Sequence, residues 1–331
     1  MTDATRLEIP IPWIGSVNLW LLRGDPLTLV DTGPATDEGF PALEQQLAEH
    51  GVRIEEIQLV LITHHHLDHS ALADRIRERS GAEVAAHKGT ARWLREYHQR
   101  AADERRFTLA LMAAHGVPDE LIDESVPFFD YIARAGNTFA IDRVLVDGDT
   151  IRAGGRTLRV VFRPGHSATD TLFVDDLARE AFVGDHLLAE ITSGAELVPT
   201  ELPGDERRRA LLEYLSNLRA TAAMDLEACY PGHGPTIYEH RPLIEDRMRF
   251  HSDRLGRIAE HVEAGCATAF DIARRLWSDE TAETQPVLTV WEVLGHLDIL
   301  VNRGTVLERV DGRGRHTFLP RDAVEVAAAT P

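Results

Sequence analysis

The chain has 331 residues, of which 44% are hydrophobic and 27% charged, and its formal net charge is −19 at pH 7. This composition is that of a soluble globular protein long enough for one large domain and an appendage. The negative balance disfavours a general nucleic-acid binder, the absence of a long apolar run disfavours a membrane span, and residues 1–10 lack the apolar core of a signal peptide. With only two cysteines, a reducing, cytoplasmic location is expected.

Predicted strands and helices alternate in the first 90 residues. One or two strands are expected over 8–24, and shorter apolar strands over 27–30, 57–63 and 83–86. Helices are expected over 37–50 and 70–80, each followed by a glycine suited to a helix end. This alternation predicts a layered α/β architecture.

Residues 90–140 interrupt the alternation with a helical pattern that breaks at Gly116-Val117-Pro118. We interpret this segment as an inserted helical subdomain. It is expected to act either as a packing appendage or dimer surface, or as a lid over an active site.

Strands are predicted again over 143–146, 157–162, 171–174 and 181–183, and an amphipathic helix over 205–220. From residue 242 the pattern changes to three helices followed by a two-stranded hairpin that turns at residues 311–314. We therefore predict two domains, 1–240 and 241–331.

A concentration of potential metal ligands follows the predicted strand 57–63, in the sequence Thr-His-His-His-Leu-Asp-His (63–69). Because side chains alternate along an extended chain, His64 and His66 are expected to point the same way and to bind one metal ion. Asp68 and His69, on the following turn, are expected to face a second position, and His65 to point away. Histidine is the commonest metal ligand.

Further candidate ligands follow later strands. His166 lies in Pro-Gly-His-Ser, Asp185 follows the run Ala-Phe-Val-Gly, and His233 lies in Pro-Gly-His-Gly. Each motif alone is weak, but together they place histidine and aspartate repeatedly at one edge of a sheet, where active sites of layered α/β folds are found.

The His-x-His-x-Asp-His string and these accompanying motifs resemble the metallo-β-lactamase-fold hydrolase superfamily, over roughly residues 8–240 apart from the insertion. The resemblance implies an αββα sandwich with a dinuclear metal site. It assigns His64, His66 and His166 to the first ion, Asp68, His69 and His233 to the second, and Asp185 to a bridging position. Asp31, after an early strand, resembles the family's aspartate that supports the ligands.

The implied cofactor is a pair of divalent ions. Zn²⁺ is expected, although nitrogen and oxygen ligands also suit Fe or Mn. Two such ions can share a water and lower its pKa towards about 7, giving a hydroxide that attacks a carbonyl or phosphoryl centre. Asp68 would orient this nucleophile, and His186, next to Asp185, would either donate to the substrate or stack beside the site.

Asp185 occupies the position where class B β-lactamases characteristically have cysteine, which disfavours antibiotic hydrolysis. An aspartate there resembles the glyoxalase II, lactonase and nuclease branches, although the basic residues that bind glutathione are not identifiable. The leading prediction is therefore hydrolysis of a small-molecule ester, thioester or lactone, and an activated aryl ether is also compatible with the chemistry.

Residues 254–319 resemble the winged-helix-like C-terminal domain of β-lactamase-like protein 2 relatives, some of which are endoribonucleases. This suggests an alternative function as an RNA or nucleotide phosphodiesterase. However, residues 242–331 carry 15 acids and 11 arginines, and the candidate recognition helix 287–303 has a net charge of −1, which is unsuited to a nucleic-acid groove. A non-catalytic metal-binding scaffold is the second alternative, and the family resemblance favours a homodimer.

Overall fold

The computed structural model describes residues 4–11, 15–199 and 207–322. Within these ranges the strands are β1 (Ala4–Ile11), β2 (Gly15–Leu22), β3 (Thr28–Val30), β4 (Leu59–Ile62), β5 (Glu83–His87), β6 (Arg143–Leu145), β7 (Thr150–Ala153), β8 (Arg156–Phe162), β9 (Thr171–Asp175), β10 (Glu180–Gly184), β11 (Ala228–Pro231), β12 (Val306–Val310) and β13 (His316–Pro320). The helices are α1 (Gly39–Glu49), α2 (Leu67–Ser70), α3 (Ala73–Ser80), α4 (Lys88–Arg95), α5 (Tyr97–Ala114), α6 (Asp119–Ala135), α7 (Ala210–Ala222), α8 (His240–Glu263), α9 (Ala269–Leu276), α10 (Asp279–Thr284) and α11 (Pro286–Arg303).

The first sheet has six strands in the order β1-β2-β3-β4-β5-β6. Strands β1 to β3 are antiparallel, whereas β3 to β6 are parallel. All four residues of β4 are buried, as expected for a parallel strand covered on both faces. Because Val30 of β3 pairs with Leu61 of β4, the residues that follow these strands, Asp31 and Thr63, lie side by side.

The second sheet has five strands in the order β11-β10-β9-β8-β7. Strands β7 to β10 are antiparallel, and β11 joins parallel to β10. Gly184 pairs with Pro231 at the end of this parallel pair. The register therefore brings the segments that begin with Asp185 and Gly232 to the same sheet edge.

The two sheets pack face to face around a shared apolar core. Trp20 and Leu61 of the first sheet belong to one buried cluster with Phe173, Phe182 and Tyr230 of the second. The Trp20 and Tyr230 ring centroids are 4.7 Å apart, and each large apolar side chain buried in this way contributes roughly 1.5–3 kcal/mol. Helices α1, α3 and α4 pack against strands of the first sheet. The sandwich predicted from the sequence is confirmed.

Contacts divide the chain into two compact units. The first comprises residues 1–100, 132–193 and 216–244, and the second comprises 101–131, 194–215 and 245–331. The segment 90–140, predicted to be a helical insertion, contains α5, α6 and most of α4, and the predicted break at Gly116 to Pro118 lies between α5 and α6. The predicted boundary after residue 240 falls at the first residue of α8.

The C-terminal part of the second unit contains α9, α10, α11 and the β12–β13 hairpin. Thr268 caps α9, because its Oγ1 accepts a hydrogen bond from the Asp271 backbone N–H at 3.1 Å. The helix predicted over 287–303 matches α11, which ends at Arg303 and is capped by Gly304 with φ of +72°. A winged-helix arrangement of these elements stays a prediction. No helix within the described ranges combines the length and apolar character needed to cross a membrane.

Candidate metal centre

The loop after β4 brings the first predicted ligand set together. Nε2 of His64 lies 3.1 Å from Nδ1 of His66, and Nε2 of His166 lies 3.1 Å from the same Nδ1. His166 comes from the loop between β8 and β9, about a hundred residues further along the chain. Three imidazole nitrogens thus converge on one position, and they are those that the family resemblance assigned to the first ion.

The second predicted set is formed by Asp68, His69 and His233. Oδ2 of Asp68 lies 3.6 Å from Nε2 of His69 and 3.2 Å from Nε2 of His233. Asp68 and His69 lie on the short helix α2, whereas His233 follows β11. The parallel β10–β11 pair therefore supplies the third ligand of this set.

Asp185 lies between the two sets. Its Oδ2 is 3.6 Å from Nε2 of His166, in the first set, and 3.4 Å from Nε2 of His233, in the second. Its Oδ1 is 3.4 Å from Nε2 of His69. One carboxylate thus reaches ligand atoms of both sets, so the structure brings all seven predicted ligands together in the first unit.

The geometry and chemistry of these residues fit a pair of divalent cations. A tetrahedral zinc ion whose ligands lie about 2.05 Å away holds those ligand atoms about 3.3 Å apart, close to the distances given above. Nε2 of His69 and Oδ1 of Asp185 are buried and face each other at 3.4 Å, and neither makes a hydrogen bond of normal geometry among the described residues. Buried polar atoms are rarely left in this way, and coordination of a cation would satisfy both.

Hydrogen bonds to the ring nitrogens that face away from the site orient the predicted ligands. Asp31 receives Nδ1–H of His69 on its Oδ2 at 2.8 Å and the backbone N–H of Thr63 on its Oδ1 at 2.8 Å. Nδ1 of His233 donates to the carbonyl oxygen of Ser16 at 2.7 Å. In both histidines the bond at Nδ1 leaves Nε2 as the nitrogen directed towards the site and available to a cation, which is how outer partners orient a metal-binding imidazole.

Two glycines are required by crowding at the centre. A Cβ atom on Gly232 would lie 2.3 Å from Oδ1 of Asp185 and 2.5 Å from Cε1 of His69. A Cβ atom on Gly184 would lie 2.7 Å from Oγ1 of Thr63, and the φ of Gly184 is +48°. Gly232, in the second Pro-Gly-His motif, therefore cannot be replaced by a larger residue unless Asp185 and His69 move.

The site concentrates negative charge in a buried position. Burial alone would lower the pKa of His69, but the carboxylates of Asp68, Asp185 and Asp31 outweigh it and raise that pKa well above its usual value. Burial alone would raise the pKa of Asp68, but His69 and His233 outweigh it and lower that pKa to about 2. Three carboxylates this close together favour cations strongly.

His186, predicted to donate to the substrate, is fully buried. Its Nε2 lies 2.9 Å from Oγ1 of Thr221, on helix α7. Burial, together with the nearby charge of Arg163, lowers the pKa of His186 to about 3, so the ring is neutral. This hydrogen bond gives the ring a structural partner, and its catalytic role stays a prediction.

Several residues support the ligands through contacts that the sequence did not indicate in detail. The ring of His65, expected to point away from the ligands, stacks on Trp93 with centroids 4.2 Å apart, and its Nδ1 lies 2.8 Å from Oγ1 of Thr169. Asp170 accepts hydrogen bonds from the Ser167 backbone N–H at 2.8 Å and from its hydroxyl at 2.6 Å. The polar run after His166 is typical of a capped turn, and the bonds of Asp170 form one, whereas the contacts of His65 join residues distant in sequence.

Comparison with known proteins places this site in a family. Residues 12–233 match the family model described as the metallo-beta-lactamase superfamily. The chain is 29% identical to the probable metallo-hydrolase YqjP of Bacillus subtilis, over 90% of this chain and 92% of that protein. It is 26% identical to a beta-lactamase-like protein 2 homolog of Caenorhabditis elegans, over 79% of this chain and 71% of that protein.

Two further similarities concern a fungal enzyme and a solved structure. The chain is 26% identical to an atrochrysone carboxyl ACP thioesterase of Aspergillus fumigatus, over 70% of this chain and 55% of that protein. A crystal structure of a metallo-beta-lactamase family protein from Thermus thermophilus superimposes with a TM-score of 0.78 at 26% identity, covering 96% of this chain and 98% of that one. The family model covers well over half of this chain, which therefore belongs to the metallo-β-lactamase superfamily.

Proposed function

We propose that this protein is a dinuclear metal-dependent hydrolase, with zinc as the expected metal, that cleaves thioesters of small acyl groups. The observation that carries the proposal is the position of Asp185, whose carboxylate lies within 3.4–3.6 Å of His69, His166 and His233. A carboxylate shared by two three-ligand sets is suited to hold two cations at the short separation that hydrolases of this type require.

The bound cations would supply electrophilic activation of the substrate carbonyl and a water molecule of lowered pKa. The chain's own residues would orient the ligands and the attacking water. Asp31, Ser16 and Thr63 hold the ligand imidazoles in one tautomer and orientation. Asp68 is the more accessible of the two ligand carboxylates, with 26% of its side chain exposed against 9% for Asp185, and is placed to accept a hydrogen bond from the attacking water.

The ligand set favours substrates with a good leaving group. Ligand carboxylates are ionised and ligand imidazoles are neutral, so neither Asp68 nor Asp185 would carry a proton for the leaving atom. In thioester hydrolysis water adds to the carbonyl carbon, the C–S bond breaks, and the sulfur leaves as a thiolate. Because a thiol has a pKa of about 8.5, the thiolate leaves without a proton donor and takes up its proton from solvent.

The comparisons support the same substrate class. One relative is called an acyl carrier protein thioesterase, and its match extends over 70% of this chain. Lactones and activated esters share the reactive carbonyl and are the next candidates. The phosphodiesterase alternative is disfavoured, because the C-terminal region carries a net negative charge where a nucleic-acid surface would be cationic.

The test is a substrate panel for the zinc-loaded protein. Acyl thioesters of N-acetylcysteamine with increasing chain length would be compared with the matched oxygen esters, a γ-lactone, a penicillin and bis(p-nitrophenyl) phosphate. We expect the highest kcat/KM for thioesters. Asp185→Asn should lower kcat/KM at least about a hundredfold, as expected when charge stabilisation is lost in an active site. Asp176→Asn, which changes an exposed ion pair with Arg159, is the matched control. Preferential cleavage of the phosphodiester, or thioester hydrolysis unaffected by Asp185→Asn, would contradict the proposal.

A further inference from the structure

A separate group of metal-ligating residue types lies in the second compact unit. It comprises His115 at the end of α5, Glu308 on β12 and His316 on β13, and none of them belongs to the seven residues described above. One donor atom from each residue lies within 4.8 Å of those of the other two. The donor set of two imidazoles and one carboxylate is typical of zinc and of other borderline transition metals.

The hairpin presents two of these residues on one face. Glu308 pairs with Phe318, and Val310 pairs with His316, so Glu308 and His316 are diagonal neighbours within reach of each other. Nδ1 of His316 lies 2.7 Å from Oε1 of Glu308. Their side chains are only 13% and 20% exposed, which limits competition from water while leaving a route for an ion.

His115 packs against the β12–β13 hairpin. Its backbone carbonyl accepts a hydrogen bond from the Phe270 backbone N–H at 3.2 Å, and its ring lies 4.6 Å from the His316 ring and parallel to the Phe318 ring. The residue is 1% exposed. The next residue, Gly116, has φ of +93°, and a Cβ there would lie 2.6 Å from Oγ1 of Thr268, so the chain at this point approaches α9 closely.

One nitrogen of the buried His115 ring is unsatisfied within the part of the chain that the structure describes. Its Nδ1 is buried and has no hydrogen-bond partner among the described residues, although buried polar atoms are usually bonded. Burial disfavours the charged imidazolium, and the neutral ring is the form that coordinates a metal. The charge of Arg207, which also acts on this ring, is paired with Asp298 at 2.6 Å.

We propose that His115, Glu308 and His316 form a zinc site in addition to the dinuclear centre. Coordination would replace the direct Glu308–His316 contact with an ion between them and would provide His115 with a partner. The ion would then tie the end of α5 to the β12–β13 hairpin and stabilise the second unit. This inference does not depend on the catalytic proposal, because it concerns different residues and is measured by metal content.

The experiment compares zinc content after removal of any affinity tag, loading with Zn²⁺ and gel filtration in metal-free buffer. We expect His316→Ala and Glu308→Gln each to lose one zinc equivalent per chain relative to the unsubstituted protein. His261→Ala, which removes a half-buried histidine of α8 in the same unit, is the matched control and should retain the full content. Zinc should also raise the Tm of the chelator-treated His261→Ala protein more than that of the chelator-treated His316→Ala protein.

Failure of this proposal and failure of the catalytic proposal would appear in different measurements. If His316→Ala and Glu308→Gln keep the zinc content of the control, the three residues form only an ion pair beside a buried ring, and the proposal is overturned. Because His316 and Glu308 lie on a partly exposed hairpin, both variants are expected to fold even if His115→Ala does not. Failure of the catalytic proposal would appear instead in the thioester assay, with the difference in zinc content unchanged.

Discussion

Asp31 and His69 form a buried pair in which the ligand histidine donates its Nδ1–H to the carboxylate at 2.8 Å. The backbone of Asp31 has φ of +62°, a region that residues other than glycine rarely occupy and that aspartate tolerates better than most. The backbone N–H of Asp31 donates to the carbonyl of Leu61 at 2.8 Å. The end of the parallel β3–β4 pair thus places a carboxylate next to Nδ1 of a predicted metal ligand.

Asp31→Asn is expected to weaken zinc binding by about 10- to 100-fold, the usual effect of losing an outer partner of a ligand histidine. Asparagine has the same shape, so the loss comes from the charge and the acceptor geometry. The measurement is competition for zinc with a chromogenic chelator. Activity should recover at excess zinc, and Asp74→Asn, which alters a partly exposed ion pair with Arg77, should leave the affinity unchanged. An affinity equal to that of Asp74→Asn would show that the pair does not orient His69.

Gly232→Ala is expected to disrupt the centre although alanine adds only one carbon. That carbon would lie 2.3 Å from Oδ1 of Asp185, so the bridging carboxylate would have to move. We expect loss of bound zinc and of hydrolysis, measured on the same preparation. Gly256→Ala is the control, because open space surrounds that helical position and alanine there should stabilise the protein by about 0.5–1 kcal/mol. Full zinc content in Gly232→Ala would contradict the crowding argument.

The buried ion pair of Arg207 and Asp298 should matter for stability. Their side chains are 6% and 3% exposed, with an N–O distance of 2.6 Å, and burial raises the pKa of Asp298 despite the attraction of the arginines. Arg207→Met should cost about 3–5 kcal/mol because it leaves a buried charge without its main partner. Chemical unfolding measures this cost. The double variant Arg207→Met, Asp298→Asn should recover part of it, and a double variant as unstable as Arg207→Met would argue against a charge penalty.

Acid should destabilise the protein through the buried pair of His251 and His296. Nδ1 of His296 donates to the Glu292 carbonyl at 2.7 Å, and its Nε2 lies 3.2 Å from Nδ1 of His251. Burial lowers the pKa of His251 to about 3, whereas the unfolded chain has the ordinary value of about 6.5. The unfolded state therefore binds the proton first as the pH falls, so stability is lost from about pH 6.5 downwards.

The expected size of this effect is about 2 kcal/mol between pH 7 and pH 5 for one such histidine. It is measured as the difference in unfolding free energy between the two pH values. His251→Gln should reduce that difference, and His50→Gln, at an exposed position, should not. Equal pH dependence in the two variants would mean that His251 is not held neutral by the fold.

Much of the site was predictable because its ligands are local or marked by short motifs. His64, His66, Asp68 and His69 fall within six residues, and their alternation along the chain indicated two binding positions. His166, Asp185 and His233 were predictable only as residues that follow strands. Their convergence depends on the pairing of Gly184 with Pro231, a relationship that becomes visible only in the folded chain.

Other features depend on tertiary packing. The stacking of His65 on Trp93 joins a ligand loop to helix α4, and the meeting of His115 with His316 joins residues two hundred positions apart. Neither contact has a sequence period or motif. The homodimer and the cytoplasmic location stay predictions.

The most direct test of the central claim removes one ligand from each set and follows both zinc content and thioester hydrolysis. His166→Ala and His233→Ala should each bind one zinc equivalent fewer than the unsubstituted protein and should each lower kcat at least about a hundredfold. Asp176→Asn should match the unsubstituted protein in both measurements. Thioester hydrolysis that persists at the control rate in both ligand variants, or after complete removal of metal by a chelator, would contradict the account.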